Sequence, residues 1–344
     1  MKILENVSLA QYSTMRLGGN ARYFTEVKSN DDLLSSLDFA KNNGLNFHVL
    51  GSGSNSIFQD TGFSGLVIAM RTMGAKETEA NNELQLTVGA GEIWDDIVKL
   101  STHKGYFDVA SLSLIPGTVG AAPVQNIGAY GQQVSDVIDT VRAYDTSKGI
   151  FVEISNKDCN FKYRKSRFNT TDKKRFIITS VIMRFCRKSI AQPFYSDITN
   201  YLQSHHIDEN NITPTQLREA VSNIRAIKLP DPADIASCGS FFKNPLISEA
   251  EYSRLSTQFP ELKSHKTDDG NPKLYAGQLI ELCGLKDFHD QETGMATWKN
   301  QALVVVNESA KSTNDLLKFK KIIVTSVQKK FSITLEQEPE IIAS

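Results

Sequence analysis

IPGTVGAAPVQNIGAYG, residues 115–131, is the stretch of sequence that decides the fold. It contains four glycines, three alanines and two prolines, and it carries no charged side chain. A surface loop of this length is ordinarily polar, whereas small uncharged residues suit a backbone that lies flat against a large planar or phosphorylated ligand. The alternative is a buried glycine-rich loop that packs only against its own domain.

A second glycine-rich stretch, GSGSN at residues 51–55, follows an apolar strand predicted at residues 47–50. Alternating glycines allow backbone N–H groups to close around an anion, and the serine hydroxyls add donors. The stretch is not a GxGxxG fingerprint, because Ser56 stands where the third glycine would be, and no Gly-Lys-Ser/Thr of a Walker A loop follows. By itself it predicts either a phosphate-binding loop or a plain turn.

The composition excludes several classes of protein. The chain has 344 residues, of which 22% are charged and 40% hydrophobic, and this length predicts two or three domains. A formal net charge of -1 gives no overall field that favours nucleic acid or an anionic membrane. The longest apolar runs, at 66–70 and 302–306, are too short to cross a bilayer. We expect a cytoplasmic protein that is a monomer by default.

The four cysteines are widely spread and form no CxxC pair. Such spacing is typical of reduced thiols rather than of disulfides or zinc ligands, so we expect no metal site.

Hydrophobic periodicity predicts a mixed chain of short helices and strands. In the second half it predicts helices near 276–282 and 314–330 and a closing strand in FSITLEQ, residues 331–337. Pro230 and Pro232 exclude a helix around them and mark the best domain boundary.

Taken together, the motifs resemble a known family. GSGSN, followed by IPGTVGAAPVQNIGAYG, is similar to the FAD-binding half of the UDP-N-acetylenolpyruvoylglucosamine reductases. Further blocks match in the expected order: YSTMRLGG at 12–19, YRKSRF at 163–168, CGSFFKNP at 238–245 and EPE at 338–340. QPFYSD at 192–197 resembles the tyrosine-bearing insertion of the longer form of the family.

The resemblance implies an α+β fold, with a FAD-binding domain of the vanillyl-alcohol-oxidase (PCMH) type and a C-terminal α+β substrate-binding domain. We predict FAD-binding subdomains at 1–70 and 71–220, with the tail 331–344 returning to them, and a substrate-binding domain at 221–330. FAD should be noncovalent, because neither glycine-rich block contains a histidine. The resemblance assigns FAD to Gly51, Ser52, Gly53, Ser54, Asn55, Ser56, Ile115, Pro116, Gly117, Thr118, Val119, Gly120, Asn126, Gly128, Ala129, Tyr130, Gly131 and Tyr163.

The implied reaction is the NADPH-dependent reduction of UDP-N-acetylglucosamine enolpyruvate to UDP-N-acetylmuramate in peptidoglycan precursor synthesis. Hydride transfer to the enolpyruvyl methylene leaves negative charge that spreads into the carboxylate, so a fixed cation and a proton donor are both needed. The resemblance gives these roles to Arg164 and Ser240, with Glu340 beside the serine. Without the resemblance, the sequence would predict that Arg164 is one cation of a solvated basic stretch and that Ser240 is a turn residue.

The chain departs from the family at Ile342, where an arginine is usual, and this leaves the anchoring of Glu340 open. For the substrate, the resemblance points to Tyr195, Lys228, Asn244 and Gln301. Two other readings stay open: an FAD-dependent alcohol oxidase or dehydrogenase of the same fold, and a non-catalytic nucleotide-sugar-binding relative. The sequence does not decide between NADPH and NADH.

Overall fold

The computed structural model describes residues 1–186, 194–267 and 270–343. The chain divides into two compact units. Unit 1 comprises Met1–Asn6, Arg22–Ser52 and Ser64–Ala226, and unit 2 comprises Val7–Ala21, Gly53–Phe63 and Ile227–Ser344. The division into parts at 1–70, 71–220 and 221–330 stays a prediction.

The helices, numbered in chain order, are α1 Asn30–Asn42, α2 Trp94–His103, α3 Ser196–Ser204, α4 Pro214–Lys228, α5 Glu249–Gln258, α6 Ala276–Leu282 and α7 Thr313–Phe331. The strands are β1 Leu4–Ser8, β2 Asn20–Val27, β3 Phe47–Leu50, β4 Ser56–Phe58, β5 Phe63–Met70, β6 Ala75–Ala80, β7 Glu83–Gly89, β8 Gly128–Ala129, β9 Gln132–Gln133, β10 Ile138–Asp145, β11 Ile150–Ser155, β12 Phe176–Cys186, β13 Ala236–Ser240, β14 Ser264–Lys266, β15 Pro272–Leu274, β16 His289–Asp290, β17 Met295–Trp298, β18 Gln301–Asn307 and β19 Glu340–Ile342.

Unit 1 is built on a five-stranded antiparallel sheet of order β11-β10-β12-β7-β6. A four-stranded sheet, β1-β2-β5-β3, accompanies it and pairs β3 parallel to β5. Val141, Val181 and Val88 lie side by side across three strands of the first sheet, and all three are buried. Because side chains alternate between the faces of a strand, this row marks the face that carries the core.

Unit 2 is built on a sheet of order β13-β18-β17-β16, with α6 and α7 beside it. Phe241, Phe242, Phe319 and Phe331 are buried in its core. The strand predicted at 331–337 is wrong: α7 runs on to Phe331, and the stretch after it makes one isolated bridge. The strand near the C-terminus is β19 instead, which pairs parallel to β4.

Cys159, Cys186, Cys238 and Cys283 are free thiols. Burial raises the pKa of Cys238 to about 12. Within residues 1–186, 194–267 and 270–343, histidines, cysteines and carboxylates form no group that could hold a metal ion. The helices found in those residues are all too short or too polar to span a membrane.

Candidate functional site

The first half of the 115–131 loop lies against the segment that leads into α2. The carbonyl of Gly117 accepts a 3.1 Å hydrogen bond from the backbone N–H of Trp94, and Gly120 donates one of 2.9 Å to Ala90. A Cβ atom on Gly120 would lie 2.5 Å from the Cβ of Ala90. Glycine is therefore required there for the two backbones to approach.

Gly51 and Thr118 bring the two glycine-rich motifs together in unit 1. A Cβ atom on Gly51 would lie only 2.8 Å from Oγ1 of Thr118. That hydroxyl is buried and has no hydrogen-bond partner among the described residues. A buried hydroxyl without a partner costs free energy, and a polar group of a bound ligand would satisfy it. The Thr118 hydroxyl therefore fits a polar group of a phosphorylated cofactor such as FAD, and Gly51 lets the two motifs approach each other closely.

Residues 53–56 of the stretch belong to unit 2, where the predicted 12–19 block contacts Gly53 and Ser56. Gly53 has φ +75, and a Cβ atom there would lie 1.8 Å from the carbonyl oxygen of Tyr12. Its own carbonyl accepts a 3.3 Å hydrogen bond from Thr14. The hydroxyl of Ser13 donates a 2.7 Å bond to the carbonyl of Ser56.

Asn126 organises the second half of the 115–131 loop. Its buried side-chain amide donates to Oε1 of Gln133 at 2.9 Å and to the carbonyl of Lys162 at 3.2 Å, and its Oδ1 accepts from the N–H of Ser135 at 3.1 Å. The bond to Lys162 ties the loop to the residue that precedes the 163–168 block. The FAD-binding role of Asn126 stays a prediction.

Arg164 reaches the same part of the loop. Its Nη2 donates a 2.6 Å hydrogen bond to the carbonyl of Gly128, and its guanidinium lies 5.1 Å from the ring centroid of Tyr163. Arg164 has φ +54, and its carbonyl accepts from the side chain of Asn169 at 3.3 Å. The structure thus brings three predicted site residues together, and this half-buried guanidinium differs from a solvated cation.

Tyr195 lies over the end of the loop. Its ring meets that of Tyr130 edge to face, with the centroids 5.8 Å apart, and a Cβ atom on Gly131 would lie 3.5 Å from it. Burial raises the pKa of Tyr130. Of the predicted insertion motif, Gln192 and Pro193 lie outside the described residues.

Ser240 is the last residue of β13, opposite Val304 of β18. It is exposed, whereas the next two residues, Phe241 and Phe242, are buried. Gly239 before it has φ +67, which glycine adopts without strain. The two rings therefore anchor the turn while the serine remains at the surface.

Glu340 begins β19, in the same unit as Ser240. The N–H of Glu338 donates a 2.9 Å hydrogen bond to the carbonyl of Phe241, so the EPE segment runs beside the GSFF segment. The N–H of Glu340 donates to the carbonyl of Asn55 at 2.8 Å. Ile342 is buried.

The other predicted substrate residues have structural contacts of their own. Oδ1 of Asn244 accepts a 2.9 Å hydrogen bond from the N–H of Ala276, the first residue of α6. Oε1 of Gln301 accepts from the N–H of Leu303 at 3.3 Å. Lys228 is the last residue of α4 and is half-buried. Their roles in substrate binding stay predictions.

The reading of the sequence missed a charged cluster beside the loop, formed by Asp95, Arg218 and Arg225. Arg218 donates to both carboxylate oxygens of Asp95, at 2.7 Å each. The two arginines stand seven positions apart on α4, which places them on one face of the helix. That spacing was visible in the sequence, but their partner on α2 was not.

Comparison with known proteins gives the family. A family model described as an FAD binding domain matches residues 21–155, and one described as the UDP-N-acetylenolpyruvoylglucosamine reductase C-terminal domain matches residues 231–342. The UDP-N-acetylenolpyruvoylglucosamine reductase of Amoebophilus asiaticus is 37% identical to the chain, over 99% of this chain and 100% of the relative. The chain belongs to the UDP-N-acetylenolpyruvoylglucosamine reductase family.

Other members of the family agree. The UDP-N-acetylenolpyruvoylglucosamine reductase of Neisseria gonorrhoeae is 37% identical over 96% of this chain and 95% of the relative. The solved UDP-N-acetylenolpyruvylglucosamine reductase of Thermus caldophilus has a TM-score of 0.65 at 22% identity, with both chains covered in full, and shows the same fold. The family, the α+β fold with its FAD-binding domain, the FAD cofactor and the class of FAD-dependent oxidoreductase are thereby confirmed.

Proposed function

We propose that the chain reduces UDP-N-acetylglucosamine enolpyruvate to UDP-N-acetylmuramate, with NADPH as reductant, for peptidoglycan synthesis in the cytoplasm. The observation that carries the proposal is the hydrogen bond from Glu338 to Phe241, which aligns the segments of Ser240 and Glu340. Membership of the reductase family supports the same reaction. A monomer remains our prediction for the oligomeric state.

The residues of the two glycine-rich motifs would hold FAD. Gly51 allows close approach to Thr118, whose buried hydroxyl has no hydrogen-bond partner among the described residues and would bond a polar group of the cofactor. FAD held by these residues would supply hydride-transfer chemistry between NADPH and the methylene carbon of the enolpyruvyl group.

Arg164 would hold the substrate carboxylate. A guanidinium stays protonated and grips a carboxylate through two parallel hydrogen bonds. Its bond to Gly128 at 2.6 Å and the ring of Tyr163 hold the guanidinium in one place. A pre-placed cation stabilises the negative charge that develops next to the carboxylate.

Ser240 would give its hydroxyl proton to the carbon beside the carboxylate. A serine hydroxyl is a weak acid, so it can act only against a strongly basic carbanion to which it is held close. The pairing of β13 with β18 fixes the Ser240 backbone. Glu340 would stabilise or relay this proton. Tyr195 and Lys228 would bind the diphosphate, and Asn244 and Gln301 would contact other parts of the nucleotide sugar.

An absorbance spectrum of the purified protein tests the proposal. The flavin bands should bleach when NADPH is added without oxygen, and they should return when UDP-N-acetylglucosamine enolpyruvate follows. Colour that returns only with oxygen would remove the substrate assignment and keep the FAD fold. Rapid oxygen consumption with an alcohol would favour the oxidase alternative, and failure of the bound flavin to reoxidise with the nucleotide sugar would favour the non-catalytic relative.

A further inference from the structure

Two non-glycine residues in left-handed conformations mark the ends of the 115–131 loop. Leu114, just before the loop, has φ +55, and Tyr130, the second-to-last loop residue, has φ +48. Such a conformation is strained for a residue with a side chain and persists only where the surroundings enforce it. Leu114 is 42% exposed, so burial of its side chain does not compensate the strain. Something else must hold it.

Charged side chains bind both peptide groups of Leu114. Oδ1 of Asp95 accepts a 2.7 Å hydrogen bond from its N–H, and Nη2 of Arg225 donates a 3.3 Å bond to its carbonyl. Hydrogen bonds to charged groups are stronger than neutral ones. The two bonds therefore hold the peptide groups on either side of the strained residue.

Asp95 is itself held in place by Arg218, whose two terminal nitrogens each donate to it at 2.7 Å. Burial acts to raise the pKa of Asp95, but the hydrogen bonds from Arg218 and from the N–H of Leu114 outweigh it and lower the pKa. The carboxylate is thus ionised at neutral pH and accepts from Leu114 as an anion.

Arg225 is bonded to Leu114 at the start of the loop. Besides its bond to Leu114, its charge acts to lower the pKa of Tyr130, against the larger effect of burial. Its Nε is buried and has no hydrogen-bond partner in the part of the chain that the structure describes.

We propose that Asp95 and Arg225 are positioning residues for the cofactor, because they hold the 115–131 loop in its FAD-binding shape. The inference rests on the proposed function in one respect, namely that this loop binds FAD. Arg218 acts through Asp95. On this view the strain at Leu114 is maintained by α2 and α4 so that the loop need not reorganise when FAD binds.

FAD affinity of the flavin-free protein tests the proposal, measured by the change in flavin fluorescence on titration. Asp95→Asn removes one charge-assisted acceptor and should weaken FAD binding by about tenfold or more. Asp96→Asn is the matched control: it removes the same charge from the same first turn of α2, at an exposed position. It should leave FAD affinity within about twofold of wild type.

A double-mutant cycle separates positioning from simple stabilisation. Glycine adopts positive φ without strain, so in a Leu114→Gly background the Asp95→Asn change should cost much less FAD affinity. An equal loss in both backgrounds would show that Asp95 only bridges α2 and α4, and would overturn the proposal. If Asp95→Asn fails to fold, Arg225→Gln, with the Asp95–Arg218 pair left intact, should weaken FAD binding and be rescued by the same glycine.

Two further outcomes distinguish failure of the positioning role from failure of the proposed function. If wild type binds FAD and both Asp95→Asn and Arg225→Gln bind it equally well, the positioning role is wrong and the proposed function stands. If the wild-type protein binds no FAD, the proposed function falls and this inference falls with it.

Discussion

The backbone N–H of Glu340 donates a 2.8 Å hydrogen bond to the carbonyl oxygen of Asn55. The predicted catalytic carboxylate and the predicted FAD-binding stretch are therefore parts of one strand pair, β19 with β4. Further along the pair, Ile342 lies opposite Phe58, and both side chains are buried. An apolar anchor thus stands where the family usually has an arginine.

Replacing Ile342 by serine should reduce activity through Glu340. Burial of an isoleucine side chain contributes about 1.5–3 kcal/mol, and its loss should loosen β19. We expect kcat to fall by about tenfold or more, because the carboxylate two residues earlier loses its fixed position. Steady-state kinetics and thermal unfolding, measured on the same samples, check this.

Two variants control the Ile342 experiment. Ile342→Val keeps a branched apolar side chain and should retain most of the activity, and Ala343→Ser changes an exposed neighbour and should be silent. In a Glu340→Gln background, Ile342→Ser should reduce kcat little further, because both changes remove the same contribution of the Glu340 carboxylate. Full additivity would mean that Ile342 does not act through Glu340.

Ser240→Ala should separate the two half-reactions. NADPH should still bleach the flavin, whereas return of the colour on adding the enolpyruvyl substrate should slow by about 10²–10⁴-fold, the usual contribution of a general acid. Stopped-flow absorbance measures both steps. Thermal stability should change little, because Ser240 is exposed.

Ser237→Ala provides the matched control on the same strand. Ser237 is buried, and its hydroxyl has no partner in the residues that the structure describes. Its removal should leave both half-reactions at wild-type rates. If Ser240→Ala also reoxidises at the wild-type rate, another group donates the proton.

The glycine-rich motifs could be predicted from the sequence because the close backbone approach that they make requires glycine itself. Only glycine fits at Gly51 and Gly120, where a Cβ atom would meet Thr118 or Ala90. The helix predicted at 276–282 has those bounds in the structure, and α7 differs from its prediction by one residue at each end. Local periodicity and backbone demands were sufficient there.

The segment at 331–337 has the residue pattern of a strand but does not form one. Phe331, Ile333 and Leu335 are buried and alternate with exposed residues, as in a strand. An alternating pattern of apolar and polar residues predicts which side chains are buried, however, and does not predict whether the backbone pairs with another strand. The ion pair between Asp95 and Arg218 could not be predicted for a similar reason. The two residues are 123 positions apart, and no local sequence pattern indicates a contact over such a separation.

Gly53→Ala should destabilise the protein more than an equivalent change elsewhere. The added Cβ atom would lie 1.8 Å from the carbonyl oxygen of Tyr12, which is backbone and cannot move without shifting the 12–19 segment. Gly44→Ala is the control, since Gly44 also has positive φ, +60, but has open space around it. We expect a loss of about 1–2 kcal/mol at Gly44 from backbone strain alone, and a larger loss at Gly53.

Denaturant unfolding of both variants gives these differences, and FAD titration should show weaker binding only for Gly53→Ala. Equal losses of unfolding free energy would mean that the 51–56 stretch shifts freely, contrary to the close contact seen here.

His289 should make the stability of unit 2 depend on pH. Its Nδ1 lies 2.9 Å from a carboxylate oxygen of Glu308 and its Nε2 3.2 Å from one of Asp287. The hydrogen bond to Glu308 is the largest cause that raises the pKa of His289 above its ordinary value of 6.5, and Asp287 adds to it. Because the folded state holds this proton more tightly, the stabilisation is complete below pH 6.5 and is lost as the pH rises through the raised value.

Thermal unfolding across that range, compared with His289→Gln, should show two curves that converge as the pH increases. Glu308→Gln should remove most of the same pH-dependent difference, because the proton then loses its main partner. High salt should shrink the effect, since these groups are exposed and their interaction is screened. Parallel curves for wild type and His289→Gln would show that the pKa of His289 is the same in the folded and unfolded chain.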